Sequence, residues 1–219
     1  MDARSFKDTI YNEFTRIGKV LSSPKRLELL DLLSQSPKSV ETLSKETRMA
    51  TANTSKHLQA LLEARLVQYK KEKNYVIYQL ANAKVTDLLF SIKSVAEEQI
   101  TDINLLRDEF IVRGNELETI ELEEWADRRK DESHVLIDVR PKAEYMSEHL
   151  DGAISIPMEE LNDYIIHLPK DKKVIAYCRG PYCVYATEAV ELLQSEGFEA
   201  ARLEASVHEW NQYKENLTH

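Results

Sequence analysis

The chain has 219 residues, 42% of them hydrophobic, which is enough to bury a core and leaves room for one or two domains. No apolar run is long enough to span a membrane, and the start, "MDARSFKDTIYNEF", lacks the apolar core of a signal peptide, so a cytoplasmic protein with no membrane partner and reduced thiols is expected. The net charge of −9 is split: residues 1–84 carry 15 Lys+Arg against 9 Asp+Glu, net +6, and residues 85–219 carry 14 against 29, net −15.

A basic block followed by an acidic one predicts two domains with different partners. The basic block is the candidate nucleic-acid surface; the acidic remainder would repel DNA. In chain order, Phe6, Ile10, Phe14, Ile17 and Leu21 recur at three- and four-residue steps and predict an amphipathic helix. "SSPKRLELLDLLSQSP" predicts a second, with Ser23 as N-cap and Pro24 at the first helical position. "SVETLSKETRMA" predicts a short third helix capped by Ser39. "TANTSKHLQALLEARLV" predicts a fourth, with Thr54, Leu58, Leu61 and Leu62 inward and Asn53 and Lys56 outward. The period then changes. "LVQYKKEKNYVIYQLA" reads as a hairpin centred on Lys73-Asn74, with Lys70, Lys71 and Lys73 at its tip.

Two helices joined by a short turn, the second with a polar face, followed by a basic hairpin, make a winged helix-turn-helix. The outward helix face reads base edges of double-stranded DNA, and the wing lysines meet phosphate. The candidate DNA-binding residues are Thr51, Asn53, Ser55, Lys56, His57, Lys70, Lys71 and Lys73. Over roughly residues 5–95 the chain resembles the ArsR/SmtB-type winged-helix repressors, through "SSPKRLELLDLL", "VETLSKETRMATANTSKHLQALLEARLV" and "YKKEKNYVIYQL". Ala50 stands where that family often has a capping serine, which leaves Thr51 as the expected cap. Many members sense metals through cysteine or histidine; here no cysteine precedes Cys178 and residues 85–113 hold no histidine, so no metal is expected.

"KVTDLLFSIKSVAEEQITDINLLRDEFIVRGN" places Val85, Leu88, Ile92, Val95, Ile103, Leu106 and Phe110 at near-heptad steps, with Gln99 interrupting and Gly114-Asn115 as a stop. One helix of about thirty residues with a single apolar stripe cannot cover that stripe alone, so a homodimer is expected, matching two half-sites on DNA. The expected division is 1–84 for DNA binding, 85–116 for dimerisation and linkage, and 117–219 for the second domain.

From Leu117 strand and helix patterns alternate. "HVLIDVR", "GAISIP", "KKVIAYC" and "EAARLEA" read as strands. "ELEEWADRR", "PKAEYMSEHL", "MEELNDYIIHLP", "VYATEAVELLQSEG" and "SVHEWNQYKE" read as helices. The fold class is therefore a mainly α winged helix-turn-helix followed by an α/β domain with a mainly parallel sheet. Both cysteines lie in "YCRGPYCVYA", with Cys178 after a strand and just before a helix. Backbone N–H groups, the helix dipole and the Arg179 cation make this the setting of an activated thiol. Gly180 lets the loop turn and Pro181 stiffens it.

This half is similar to the rhodanese domains over roughly residues 117–213, through "VLIDVRPKAEY", "EHLDGAISIPMEEL", "LPKDKKVIAYCRG" and "EAVELLQSEGFEAARLEA". The resemblance implies sulfur transfer through a persulfide on Cys178, with Asp138, Arg140 and His149 structural. It makes Cys178, Arg179, Gly180, Pro181, Tyr182 and Cys183 the candidate site, with a sulfane-sulfur donor or persulfide as partner and no cofactor. Cys183 stands where single-domain rhodaneses often have a basic or small polar residue, which argues against thiosulfate turnover. Val184 stands where a phosphatase- or arsenate-reductase-like loop needs arginine. A second thiol at the loop's far lip can attack the persulfide, giving a disulfide or a sulfur-bridged pair, or it can simply pack under the loop. The expected function is a regulator that senses sulfane sulfur or thiol oxidation. The alternatives are a working sulfurtransferase localised by its DNA-binding half, and a regulator with an inactive binding module.

Overall fold

A computed structural model describes residues 1–112, 117–129 and 131–217. The chain divides into two compact units, Met1–Ala96 and Glu97–His219.

The first unit begins with α1 (Ala3–Leu21), α2 (Pro24–Gln35), a short β1 (Lys38–Ser39), α3 (Val40–Glu46) and α4 (Thr51–Glu63). The hairpin β2 (Val67–Glu72) and β3 (Tyr75–Leu80) follows, then α5 (Ala83–Gln99). The sheet order is β1-β3-β2, all antiparallel, and Glu72 pairs with Tyr75 across the Lys73-Asn74 turn. Lys73 takes the positive φ (54°) that this tight turn requires. Leu29, Leu30, Leu43, Leu58 and Leu61 fill the core, each contributing about 1.5–3 kcal/mol by burial. Ser39 caps α3 by accepting from the Thr42 N–H at 3.1 Å. The expected Thr51 cap does not form: Ala50 is the N-cap residue of α4, without a side-chain bond, and the Thr51 hydroxyl lies 3.3 Å from that of Ser44.

α1 buries no residue of its own, and Phe6 and Phe14 stay 52% and 65% exposed. The single helix of about thirty residues expected over 85–113 is two. α5 ends at Gln99, Ile100 is extended (φ −117°, ψ 94°), and α6 (Thr101–Arg107) runs into a π-turn, Asp108–Val112. The β-branched pair Ile100-Thr101 disfavours helix. The Asn104 amide donates to the Glu97 carbonyl at 3.0 Å, satisfying an acceptor that the break leaves open. The expected Gly114-Asn115 stop lies outside the described residues.

The second unit is an α/β layer structure. After β4 (Thr119–Ile120) come α7 (Leu122–Arg128), β5 (His134–Asp138), α8 (Lys142–Ser147), β6 (Ile154–Ser155) and α9 (Met158–Tyr164). β7 (Lys173–Tyr177), α10 (Val184–Ser195), β8 (Ala200–Leu203) and α11 (Val207–Leu217) complete it. The five strands are parallel in the order β4-β8-β7-β5-β6. Alternation along β7 sends Val174 and Ala176 to one face and Ile175 and Tyr177 to the other, each face with its own apolar cluster. β4 was not anticipated; its two residues are too few to show a period.

Candidate functional site

β7 sits inside the sheet between β5 and β8, and Cys178 follows its last residue. The Cys178 side chain is 1% exposed and belongs to the apolar cluster beneath α10. Cys183 is the N-cap residue of α10, which has no side-chain cap bond. The two sulfurs are bonded to each other, with Cα atoms 6.2 Å apart, inside the span a disulfide bridges. The loop is therefore a closed ring of Cys178, Arg179, Gly180, Pro181, Tyr182 and Cys183. It lies at the carboxyl ends of the parallel strands, where α/β sheets place their chemistry.

Gly180 has φ +117°, a conformation essentially reserved for glycine, and a Cβ there would meet the Ser206 Cβ at 3.4 Å. Its carbonyl accepts the Cys183 N–H at 3.2 Å, which folds the loop back on itself. The Arg179 guanidinium forks onto Glu144 of α8, with Nε donating to Oε2 at 2.9 Å and Nη2 to Oε1. Glu144 is fully buried, and a paired charge of this kind offers little net field to a neighbouring thiol. The sequence could not show this partner, which lies 35 residues away.

Burial first, then the nearby Glu97 carboxylate, holds the Tyr182 phenol above the ordinary tyrosine range. Arg107 and Glu204 also act on it, and these two lie 3.4 Å apart. A polar cavity of about 670 Å³, walled in part by Arg107, Thr119, Glu121, Gln194 and Glu204, holds none of the loop residues.

Asp138 and Arg140 are buried and paired, Nη2 to Oδ2 at 2.7 Å, and Arg140 also donates to the Glu148 carbonyl at 2.7 Å. The Tyr177 hydroxyl donates to Asp138 and accepts the Leu150 N–H at 3.1 Å. His149 stacks on Tyr145, ring centres 3.9 Å apart.

In the first unit Thr51, Asn53, Ser55 and Lys56 are exposed along α4, and His57 is half-buried. Thr54, Leu58 and Leu61 lie buried on the opposite side. Lys70 and Lys71 are exposed on β2 and Lys73 is exposed in the turn.

Residues 23–69 match the bacterial regulatory protein arsR family, and residues 121–213 match the rhodanese-like domain. One relative spans nearly all of the chain: the HTH-type transcriptional regulator Rv0324 of Mycobacterium tuberculosis is 36% identical over 204 residues, covering 93% of this chain and 89% of that protein. The chain belongs to the ArsR-type transcriptional regulators that carry a rhodanese-like domain. Within that family it is a DNA-binding protein with its helix-turn-helix ahead of an α/β rhodanese-like fold. The "Probable adenylyltransferase/sulfurtransferase MoeZ" of Mycobacterium tuberculosis is 31% identical over 101 residues, 45% of this chain but 25% of MoeZ. The solution structure of the homodimeric winged helix-turn-helix DNA-binding domain of Mb0332 from Mycobacterium bovis covers 46% of this chain and 91% of its own, at 32% identity and a TM-score of 0.42. Among the described residues no helix is long and apolar enough to cross a membrane.

Proposed function

We propose that this ArsR-type regulator acts as a homodimer on double-stranded DNA and that its Cys178–Cys183 loop reports sulfane sulfur or thiol oxidation. The observation that carries the reading is the cysteine pair closing a ring at the strand ends of a rhodanese-like domain, in a chain that also carries an arsR-type helix-turn-helix. In the dithiol state the Cys178 thiolate takes the outer sulfur of a donor persulfide, R–S–SH, leaving R–SH and a Cys178 persulfide anion. The Cys183 thiol then attacks the inner sulfur. It forms the disulfide, and hydrosulfide leaves with the Cys183 proton. Oxidant, electrons and protons balance within the pair and the donor.

The α4 residues Thr51, Asn53, Ser55, Lys56 and His57 enter the major groove, and Lys70, Lys71 and Lys73 contact phosphate. A second copy covers the exposed aromatic face of α1 and the exposed Leu88 and Val95 of α5, with residues 85–116 serving as dimer segment and linker. Protein of this class works in the cytoplasm, where a dithiol resting state is maintained.

The test is fluorescence anisotropy on the gene's own upstream DNA, comparing reduced protein with protein treated with a polysulfide, with intact mass counting added sulfur and lost protons. Wild type is expected to change affinity and Cys178→Ser is not. The match to MoeZ supports a second reading, a working sulfurtransferase. Sulfur that loads and turns over on Cys178 while DNA affinity stays constant would select it.

A further inference from the structure

β4 is the outer strand of the five-stranded sheet and runs parallel to β8, with Thr119 beside Arg202 and Ile120 beside Leu203. The ladder continues one step further: the Glu204 N–H donates to the Ile120 carbonyl at 3.0 Å, and Glu121 is still extended. Side chains alternate along a strand, so Thr119, Arg202, Glu121 and Glu204 share one face. Ile120 and Leu203 belong to the apolar cluster on the other. On the polar face Thr119, Glu121 and Glu204, with Arg107 of α6 and Gln194 of α10, wall the cavity of about 670 Å³. That volume lies within the roughly 300–1,000 Å³ of small-molecule sites. All of its walls belong to the second unit.

Arg202 is 1% exposed, yet its Nε and Nη2 make no hydrogen bond among the described residues, and Nη2 meets the Glu204 carboxylate only as an ion pair at 3.3 Å. Arg107 Nε, the Thr119 hydroxyl and Glu204 Oε1 are likewise buried without a hydrogen bond. Buried polar atoms are nearly always hydrogen-bonded, so this many unfilled groups on one wall point to an occupant. Arg107, Arg202 and Thr119 supply N–H and O–H donors, which call for an oxyanion. A simple anion does not suit the rest of the wall. Glu121 stands beside Glu204, and Asp108 adds another carboxylate, while Glu118 is already bonded to Lys173. Burial first, then Glu204 and Glu123, pushes the Glu121 carboxyl above its ordinary range, with Arg107 and Arg202 opposing, as expected of a carboxylate short of a cation.

We infer that this cavity binds a small zwitterion of the α-amino-acid class, with its carboxylate on the Arg107, Arg202 and Thr119 donors and its ammonium on Glu121. Thr119 and Glu121 are two residues apart, about 6.6 Å along the strand, a span that one amino acid and its hydrogen bonds can bridge. The site goes beyond the function proposed above and is separate from the cysteine loop, none of whose residues line it.

The experiment is isothermal titration calorimetry and thermal melting of the full chain. The probes are the standard L-amino acids, with S-methyl-L-cysteine in place of cysteine, whose thiol would open the disulfide. Sodium acetate and methylammonium chloride are the single-ended controls. At least one amino acid is expected to bind and to raise the melting temperature, while neither control does so at the same concentration. Arg107→Met removes a donor at one end and Glu121→Gln the charge at the other. Each should weaken that amino acid by about tenfold or more, the loss of one charged hydrogen bond, with an unchanged circular dichroism spectrum. Thr119→Val, which keeps the shape and deletes only the hydroxyl, tests the carboxylate end should Arg107→Met not fold. Binding by no amino acid would overturn the inference and leave the cavity to water. Binding that acetate or methylammonium alone reproduces would overturn it in favour of a plain anion or cation. Binding that survives the substitutions at both ends would put the amino acid elsewhere and overturn it too.

Discussion

Replacing Tyr177 by phenylalanine deletes one oxygen from a fully buried position and leaves the ring in place. That oxygen donates to Asp138 and accepts the Leu150 N–H at 3.1 Å, and all three residues have no solvent exposure. Losing a hydrogen bond to a charged partner costs about 1.5–3 kcal/mol, and stranding a buried donor about 1–3 kcal/mol. Asp138 keeps the Arg140 fork, so the carboxylate is not abandoned, and the net loss should be near the low end of the sum, about 3 kcal/mol. For a unit of this size that is about 10 °C in melting temperature. Burial first, then the Asp138 charge, raises the Tyr177 phenol above its ordinary 10.0. The folded state thus holds a proton that the unfolded chain releases above pH 10, so the contribution is complete below that pH and fades only above it. Circular dichroism melts of the full chain at pH 6 and pH 9 should therefore show the same drop. A loss under about 1 kcal/mol, or one that differs between those pH values, would refute the view that this phenol locks the strand ends beneath Cys178.

Gly180→Ala should cost about 1–3 kcal/mol, because φ +117° is a backbone conformation that alanine rarely adopts; a urea melt reads it. Lys70→Ala and Lys71→Ala should each lower the slope of log affinity against log salt by about 0.9 if both lysines meet phosphate, and an unchanged slope would take them off the DNA. Burial depresses the His134 imidazole below its ordinary 6.5, with Asp131 opposing and Arg128 and Lys172 reinforcing. Its contribution is thus present above pH 6.5 and lost as pH falls through the lowered folded value, and His134→Gln should flatten that acid slope in a stability titration.

The elements that were legible in the sequence are those whose burial repeats over many residues. Leu29, Leu30, Leu58 and Leu61 mark helices by their spacing, and "HVLIDV" and "KKVIAY" mark strands buried on both faces. What escaped was short or non-local. β4 has two residues and is a strand only because β8 offers it a ladder. The break at Ile100 was hidden because the apolar stripe continues through it, although Ile100-Thr101 carried the local signal. The cysteine loop was found from its residues, yet the partners of its side chains were not. Nothing near Arg179 in the sequence points to Glu144.

That unseen partner bears on whether the loop is built as a catalyst or as a switch. A sulfurtransferase must admit a donor and then an acceptor to one exposed persulfide in every cycle. Here Cys178 is 1% exposed, and the residue able to reach it fastest is Cys183 on the same loop. An intramolecular thiol held at that range outcompetes a dissolved acceptor through effective concentration alone. On the proposed reading a Cys178 persulfide would be consumed within the loop, and the product would be a ring that stays closed until a reductant opens it. Arg179 is forked onto buried Glu144, so its charge is already paired and is not held ready for an incoming oxyanion. On the proposed reading that pairing is a loss for turnover and a gain for a closed state that must persist.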